Sequence, residues 1–277
     1  MRVQQPIQIW YKSTQKPSDF FMRETIMGFI LFAFPIQSSL NNLIFKKNIH
    51  MSFNKYLATL LVCITSSVQI LAQDWANFSE FRAANEALTT PKSGENRIVF
   101  MGNSITIGWL QTHPEFFKDK PYVNRGISGQ TTPQMLVRFR ADVVNIDAKV
   151  VVILAGTNDI AGNTGPSSLE MIADNIISMT EIAQSNGVKV ILCSVLPAYD
   201  YPWKPGLEPN IKIPKLNALI KNYADQNGVY YLDYFSALND GNNGINKKNS
   251  YDGVHLTLEG YKILEPLLEE AIKKVLE

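Results

Sequence analysis

Short, continuous apolar runs alternate along the chain with longer segments of helical periodicity, and this alternation limits the fold more than any other feature. The runs lie at residues 98–101, 122–124, 150–154, 188–192 and 229–232. A run that is apolar at every position is typical of a strand buried on both faces, as in a parallel sheet. The segments between the runs are long enough to hold crossover helices.

Helical periodicity predicts the elements that cover this sheet. An opening amphipathic helix is indicated by the spacing of Trp75, Phe78, Phe81, Ala84 and Leu88. Further helices are predicted within residues 135–144, 169–183, 216–223 and 261–275. Helices alternating with parallel strands pack on both sheet faces, so the pattern predicts an α/β fold, a three-layer α/β/α sandwich of about five strands.

The N-terminal part of the chain has a different pattern, typical of export. From Met51, a lysine at position 55 precedes the apolar run 56–64, and small residues around Ala72 precede a polar break. This is the organisation of a secretory signal, predicted here at 51–72. The run is too short and too rich in Ser and Thr to span a bilayer comfortably. The alternative is a buried N-terminal helix.

Residues 1–50 show no sustained helix or strand period. Either the start codon is assigned too early or the segment is a disordered leader, and neither interpretation gives it a function. Residues 73–277 then form one domain of ordinary size. We expect this domain to be exported, periplasmic or extracellular, without stable membrane insertion once the signal is removed.

Composition narrows the function classes. The formal net charge of +1 gives no reason to expect nucleic acid as a partner. No G-x-G-x-x-G follows the first strand, and Tyr251 stands where a calcium loop beginning at Asp240 would need a glutamate. The chain holds 3 histidines and 2 cysteines, which leaves little for zinc, and the first strand's loop lacks a phosphate cradle for FMN. We therefore expect no metal and no cofactor.

Polar residues follow each predicted strand, where parallel sheets bind their ligands. A serine needs a base to take its proton, and the base needs a group that orients it. Ser104 follows the first strand, and His255 lies three residues after Asp252 in the loop beyond the last strand. We predict Ser104 as nucleophile, His255 as base and Asp252 as the orienting acid.

Ester cleavage also needs donors for a negative oxygen. The candidates are the backbone N–H of Ser104, the backbone N–H of Gly129 and the side-chain amide of Asn158. The alternatives are a plain turn glycine at position 129 and a loop contact made by the Asn158 side chain. Asp159 is assigned to holding its loop, and Asn103 either caps the following helix or braces the triad loop.

These residues occur in four ordered segments that together resemble the blocks of SGNH (GDSL-like) hydrolases. The segments are Gly-Asn-Ser-Ile-Thr from 102, Gly-Ile-Ser-Gly-Gln-Thr-Thr from 126, Gly-Thr-Asn-Asp from 156 and Asp-Gly-Val-His from 252. The resemblance implies a flavodoxin-like fold, ester or thioester hydrolysis without a cofactor, and the roles given above for Ser104, Gly129 and Asn158. The departure is Asn103, where the name-giving motif has Asp.

The substrate is less constrained than the chemistry. The loop after the fourth strand carries Tyr199, Tyr201 and Trp203, which form either a stacking wall for a sugar ring or aromatic packing against the domain edge. We expect a small-molecule or glycan ester substrate carrying short acyl groups, above all acetyl. The alternatives are a lysophospholipase or thioesterase acting on longer acyl chains, and a glycan-binding relative without activity.

Overall fold

The computed structural model describes residues 74–277, so the predicted leader at 1–50 and signal at 51–72 lie outside the described residues. The strands are β1 (Ile98–Gly102), β2 (Tyr122–Gly126), β3 (Val150–Leu154), β4 (Lys189–Cys193) and β5 (Tyr230–Leu232). The helices are α1 (Ser79–Ala87), α2 (Ser104–Thr112), α3 (Thr132–Phe139), α4 (Thr157–Ile160), α5 (Leu169–Ser185), α6 (Pro209–Asn227), α7 (Tyr234–Leu238) and α8 (Leu258–Leu276).

The five strands form one sheet in the order β2-β1-β3-β4-β5, and every neighbouring pair is parallel. This confirms the predicted three-layer α/β/α fold with a flavodoxin-like strand order. Gly102 pairs with Gly126 on one side and with Leu154 on the other, so β1, β2 and β3 end level with one another. The chain adds β2 on one side of β1 and then β3 on the other side, and open α/β sheets bind ligands at this topological switch point.

The core lies on both faces of the sheet, because β1 and β3 are buried along their whole length. Helices α2, α7 and α8 cover one face, while α3, α5 and α6 cover the other. On the first face, Trp109 of α2 stacks on Tyr261 of α8 with ring centroids 5.3 Å apart. No helix in residues 74–277 combines the length and the apolar character needed to cross a membrane.

Helix α2 packs unusually close to β2, and Gly126 makes this possible. A Cβ at position 126 would lie 2.4 Å from the backbone nitrogen of Ile107 and 2.8 Å from the carbonyl oxygen of Asn103. Both atoms are backbone, so α2 would have to move away to accommodate any side chain. Because α2 begins at Ser104, this close packing sets where the serine lies relative to the second strand.

Helix α6 begins at Pro209, earlier than the start at residue 216 that the apolar spacing predicts. Pro214 lies inside it and has no N–H for the carbonyl of Asn210, four residues earlier. The Asn243 side chain donates to that carbonyl instead, at 2.9 Å. The missing helical hydrogen bond is thus replaced by a residue distant in sequence, which local periodicity does not reveal.

The opening helix is shorter than its apolar spacing predicts. Trp75 and Phe78 precede α1, and both are exposed. None of the residues of α1 is buried, and the ring of Phe81 lies against the guanidinium groups of Arg125 and Arg138, at 4.7 and 5.8 Å. The Asn85 side chain also accepts from Arg125 and donates to Asp142, so the helix packs through cation–π contacts and hydrogen bonds rather than through an apolar face.

Candidate active site

Ser104 is the first residue of α2, directly beyond the end of β1. The Asn103 side chain caps this helix by accepting a hydrogen bond from the Ile105 backbone at 3.0 Å. Of the two roles considered for Asn103, the structure supports capping. The strand, the cap and the helix together hold the Ser104 hydroxyl at the carboxyl edge of the sheet.

His255 reaches Ser104 from the loop between α7 and α8. Its Nε2 lies 2.9 Å from the Ser104 hydroxyl oxygen, and its Nδ1 lies 2.7 Å from Oδ2 of Asp252. The His255 carbonyl accepts hydrogen bonds from the Ser250 hydroxyl at 2.6 Å and from the Tyr251 backbone at 3.2 Å. These contacts close the turn from Ser250 to His255, and the three candidate triad side chains lie in one hydrogen-bonded line.

The Asp252 carboxylate is held by its own turn. Its Oδ1 accepts from the backbone N–H groups of Val254 at 2.9 Å and His255 at 2.7 Å. Partial burial raises the pKa of this carboxyl, but the hydrogen bonds and the charge of His255 outweigh burial, and the pKa lies below its ordinary value. Asp252 is therefore ionised at neutral pH and able to orient an imidazole that takes up a proton.

Gly129 and Asn158 lie at the ends of the two strands that flank β1. Gly129 has a φ of +77°, a conformation that side chains rarely adopt, and its carbonyl accepts a hydrogen bond from the Asn163 side chain at 2.9 Å. The Asn158 amide donates to the carbonyl of Gln130 at 3.0 Å, which leaves its second hydrogen available. The two loops are thereby tied to each other beside Ser104.

The two backbone candidates for oxyanion donors are unused within the described part of the chain, and Asn158 uses one of its two amide hydrogens. Among residues 74–277, the backbone N–H of Ser104 and that of Gly129 donate to no protein acceptor. Polar groups left without a partner at a sheet edge are suited to a ligand oxygen. Two backbone donors and one amide hydrogen are the set that a tetrahedral oxyanion would need.

Asp159 holds the loops together, as predicted, and does not contact the triad. Its carboxylate accepts from the backbone of Thr132 at 2.9 Å and from the Thr132 hydroxyl at 2.6 Å. Burial raises its pKa to about 6, and the hydrogen bonds from Thr132 oppose that rise. The side chain fastens the start of α3 to α4, the helix that carries Asn158.

Among the three aromatic residues of the loop after β4, Tyr201 departs from the expected role. Trp203 is 45% exposed and Tyr199 63% exposed, but Tyr201 is 0% exposed and cannot present a surface to a substrate. Its hydroxyl donates to the carbonyl of Thr157 at 3.0 Å, and its ring stacks under Trp203 at 5.2 Å. The expectation that all three side chains face a substrate is corrected: Tyr201 supports its neighbour from the core.

The structure adds an aromatic residue that the sequence analysis did not select. The ring of Tyr251 stacks on the imidazole of His255, with centroids 5.8 Å apart and planes 11° apart. In the sequence, only its position next to Asp252 indicates that Tyr251 lies near the active site. The other described histidine, His113, does not reach the site, since its Nδ1 pairs with Glu265 at 2.6 Å.

The arrangement fits nucleophilic attack by a serine hydroxyl, with an imidazole acting as general base and then as general acid. A hydroxyl lies within hydrogen-bond distance of an imidazole, which is oriented by an ionised carboxylate. The unused backbone donors of Ser104 and Gly129 follow β1 and β2, which end level with one another. Within residues 74–277, no group of three His, Cys, Asp or Glu side chains is placed to hold a metal ion.

Comparison with known proteins gives a family match over most of this domain. Residues 100–263 match the model of the GDSL-like Lipase/Acylhydrolase family. The matched segment includes Ser104, Gly129, Asn158, Asp252 and His255.

Individual proteins extend this comparison. A solved GDSL-like lipase from Bacteroides thetaiotaomicron is 47% identical, with a TM-score of 0.70, covering 72% of this chain and 98% of that one. The human platelet-activating factor acetylhydrolase IB subunit alpha2 is 29% identical over 194 residues, 67% of this chain and 80% of that protein. A solved acetyl xylan esterase shares the fold at 20% identity and a TM-score of 0.53, covering 63% of this chain and 98% of its own.

Proposed function

Since the chain belongs to the GDSL-like lipase/acylhydrolase family and is a carboxylic ester hydrolase, we propose that it is an exported esterase that removes acetyl and other short acyl groups from carbohydrates. Ser104, His255 and Asp252 carry the reaction in this proposal. The observation that carries it is the hydrogen-bonded line from the Ser104 hydroxyl through His255 to the Asp252 carboxylate.

The reaction runs in two halves. The Ser104 oxygen attacks the ester carbonyl carbon while Nε2 of His255 takes the hydroxyl proton. The bond to the alcohol oxygen breaks, and His255 gives that oxygen the proton, which leaves the acyl group on Ser104. Water then attacks the acyl carbon with His255 again as base, releasing the carboxylic acid and restoring the serine.

Each half passes through a tetrahedral intermediate with a negative oxygen. The backbone N–H groups of Ser104 and Gly129 and the amide of Asn158 supply its hydrogen bonds in this proposal. Support comes from the two unused backbone donors and from the contact that holds Asn158 against the loop of Gly129. Donors fixed before the reaction stabilise the developing charge without rearranging.

Two observations support short acyl groups on a sugar. The aromatic ring of Trp203 is 45% exposed and lies 5.9 Å from the imidazole of His255, which suits the apolar face of a sugar ring. The loop between β4 and α6 contains no helix that could act as an amphipathic lid at a lipid surface. The human relative is named as an acetylhydrolase. The similarity to the acetyl xylan esterase supports only that the fold is compatible with an acetylated sugar substrate.

A series of esters with one alcohol and acyl chains from acetate to decanoate tests the proposal. We expect kcat/KM to fall beyond butyrate. A channel for longer chains would instead gain about 0.8 kcal/mol for each further buried CH₂. A rate that climbs steadily to decanoate would favour the lysophospholipase or thioesterase alternative and leave the triad assignment unaffected.

A further inference from the structure

The position of His255 divides an ester substrate into two parts. Its Nε2 lies 2.9 Å from the Ser104 oxygen, and the same nitrogen must return the proton to the alcohol oxygen as the ester bond breaks. The alcohol half of the substrate therefore lies beside the imidazole. The acyl half lies beside the oxyanion donors at Gly129 and Asn158. Side chains next to the imidazole are placed to select the alcohol.

Two aromatic rings flank that imidazole. Tyr251 is stacked on it at a centroid distance of 5.8 Å, and Trp203 lies 5.9 Å away with its plane tilted by 40°. Tyr251 is 72% exposed and Trp203 is 45% exposed. Large aromatic side chains are costly to leave in water, and exposed rings grouped at a reactive centre are typical of ligand contacts.

The Trp203 ring is fixed before any substrate arrives. It stacks on the buried ring of Tyr201 at 5.2 Å, and the Tyr201 hydroxyl contacts both the carbonyl and the side-chain oxygen of Thr157. Thr157 directly precedes Asn158. The ring is therefore anchored to the loop that carries an oxyanion donor, and a ligand that stacks on Trp203 is held in register with the reacting carbonyl.

We propose that Trp203 and Tyr251 form the alcohol-side subsite of the enzyme and select a pyranose ring as the leaving group. This inference rests on the proposed function and adds the residues that choose the alcohol. A sugar ring has a flat face of C–H groups that packs on an aromatic ring, and a rim of hydroxyl groups that stays in water. An open, two-ring site matches that amphipathic shape better than it matches an acyl chain, which requires an enclosed apolar channel.

Acetate esters that differ only in the alcohol test the proposal. The substrates are a methyl glucoside carrying one acetyl ester, phenyl acetate and ethyl acetate. We expect Trp203→Ala and Tyr251→Ala each to lower kcat/KM on the glucoside ester by roughly threefold to tenfold, mainly through KM. On ethyl acetate, which has no ring to stack, both variants should lose a smaller factor in kcat/KM than on the glucoside ester.

Matched variants separate stacking from other effects. Trp203→Phe and Tyr251→Phe keep an aromatic ring and should retain most of the preference for the glucoside ester over ethyl acetate. Trp75→Ala is the control, because Trp75 is 47% exposed and makes no ring contact with His255. Equal losses on the glucoside ester and ethyl acetate would overturn the subsite, because the rings would then be acting on His255 itself.

The same panel distinguishes failure of the subsite from failure of the proposed function. If the wild type prefers the glucoside ester to ethyl acetate and the alanine variants keep that preference, the subsite is wrong and the carbohydrate esterase function stands. If the wild type shows no such preference but the alanine variants lose rate on phenyl acetate alone, the subsite binds rings and the sugar assignment is wrong. If neither the preference nor any variant effect is found, both fail.

Discussion

At the scale of single residues, Ser104 is set apart by its neighbour rather than by its own chemistry. Among the serines within residues 74–277, its hydroxyl alone lies within hydrogen-bond distance of an imidazole nitrogen, at 2.9 Å. A serine hydroxyl is a weak nucleophile until such a base removes its proton. The Asp252 carboxylate at 2.7 Å from the other ring nitrogen fixes which nitrogen faces the serine.

Replacement of Ser104 by alanine should remove ester hydrolysis and leave the fold intact. Loss of one member of a triad that works as a unit lowers kcat by roughly 10⁴ to 10⁶. Ser185→Ala is the matched control, since Ser185 is exposed and its hydroxyl makes only local contacts, donating to the carbonyl of Ile182 and accepting from the Asn186 side chain at 3.3 Å. Rates and thermal unfolding would be measured for both variants, and a Ser104→Ala enzyme retaining more than a few per cent of the rate would refute the assignment.

The pH dependence of the rate follows from the charge state of the triad. The pKa of Asp252 is lowered, so this carboxylate stays ionised as the pH falls from neutral into the mildly acidic range. Protonation of His255 should lower kcat/KM, because the charged imidazole cannot act as base, and Asp159, whose pKa burial raises to about 6, changes its charge in the same range. We expect the rate to rise with pH between about 5 and 8, and a flat profile would argue against His255 as the base.

Asn158→Ala tests the proposed oxyanion site. A donor used mainly in the transition state should lower kcat by about 10² to 10³ and leave KM nearly unchanged. The variant also loses the hydrogen bond to the carbonyl of Gln130, so its melting temperature is measured alongside. A raised KM with unchanged kcat would make Asn158 a substrate-binding residue instead.

At the scale of elements, a buried arginine joins the strands that carry the site. Arg138 of α3 donates to the backbone carbonyls of Gly102 at 3.3 Å and Arg125 at 2.8 Å, near the ends of β1 and β2. It also donates to the Gln130 side chain at 2.6 Å and to Asp142 at 2.8 Å. One guanidinium group thus holds both strand ends and the loop that follows Gly129.

Arg138→Met should destabilise the domain by about 3 to 5 kcal/mol, because it leaves the buried carboxylate of Asp142 without its ion pair. The melting temperature should fall by on the order of 10 °C. Arg140→Met is the control, since Arg140 is exposed and its contact to Asn186 is long, at 3.4 Å. A change in melting temperature no larger than that of the control would contradict this role for Arg138.

At the scale of the whole molecule, residues 100–263 match the family model, and residues 51–72 are predicted to direct export. Cleavage after Ala72 would give an exported protein beginning at Gln73. Intact-mass analysis of the protein from its native host, in the exported and cytosolic fractions, tests this. A cytosolic product that retains residues 51–72 would refute export.

The sheet and the order of its helices could be predicted, because each strand is a local, continuous apolar run. The edge that carries the site could be predicted as well, because parallel sheets bind ligands at the carboxyl ends of their strands. Strand β3 has the predicted bounds, and the other strands differ by one or two residues. The short helices α4 and α7 have too few turns for a visible period. The early start of α6 depends on Asn243, which no local pattern connects to Pro214.

The α/β fold, the family and the candidate site residues could be predicted from the chain alone, because each depends on short patterns in chain order; the site residues are Ser104, Asp252 and His255. The folded protein shows in addition that Tyr201 is buried while Trp203 and Tyr251 flank the imidazole, and that Arg138 holds the strand ends. Burial and stacking arise between residues far apart in the chain, and no local pattern predicts them. A sequence pattern specifies which face of an element is apolar, but the packing of other elements decides which side chains remain open to a ligand.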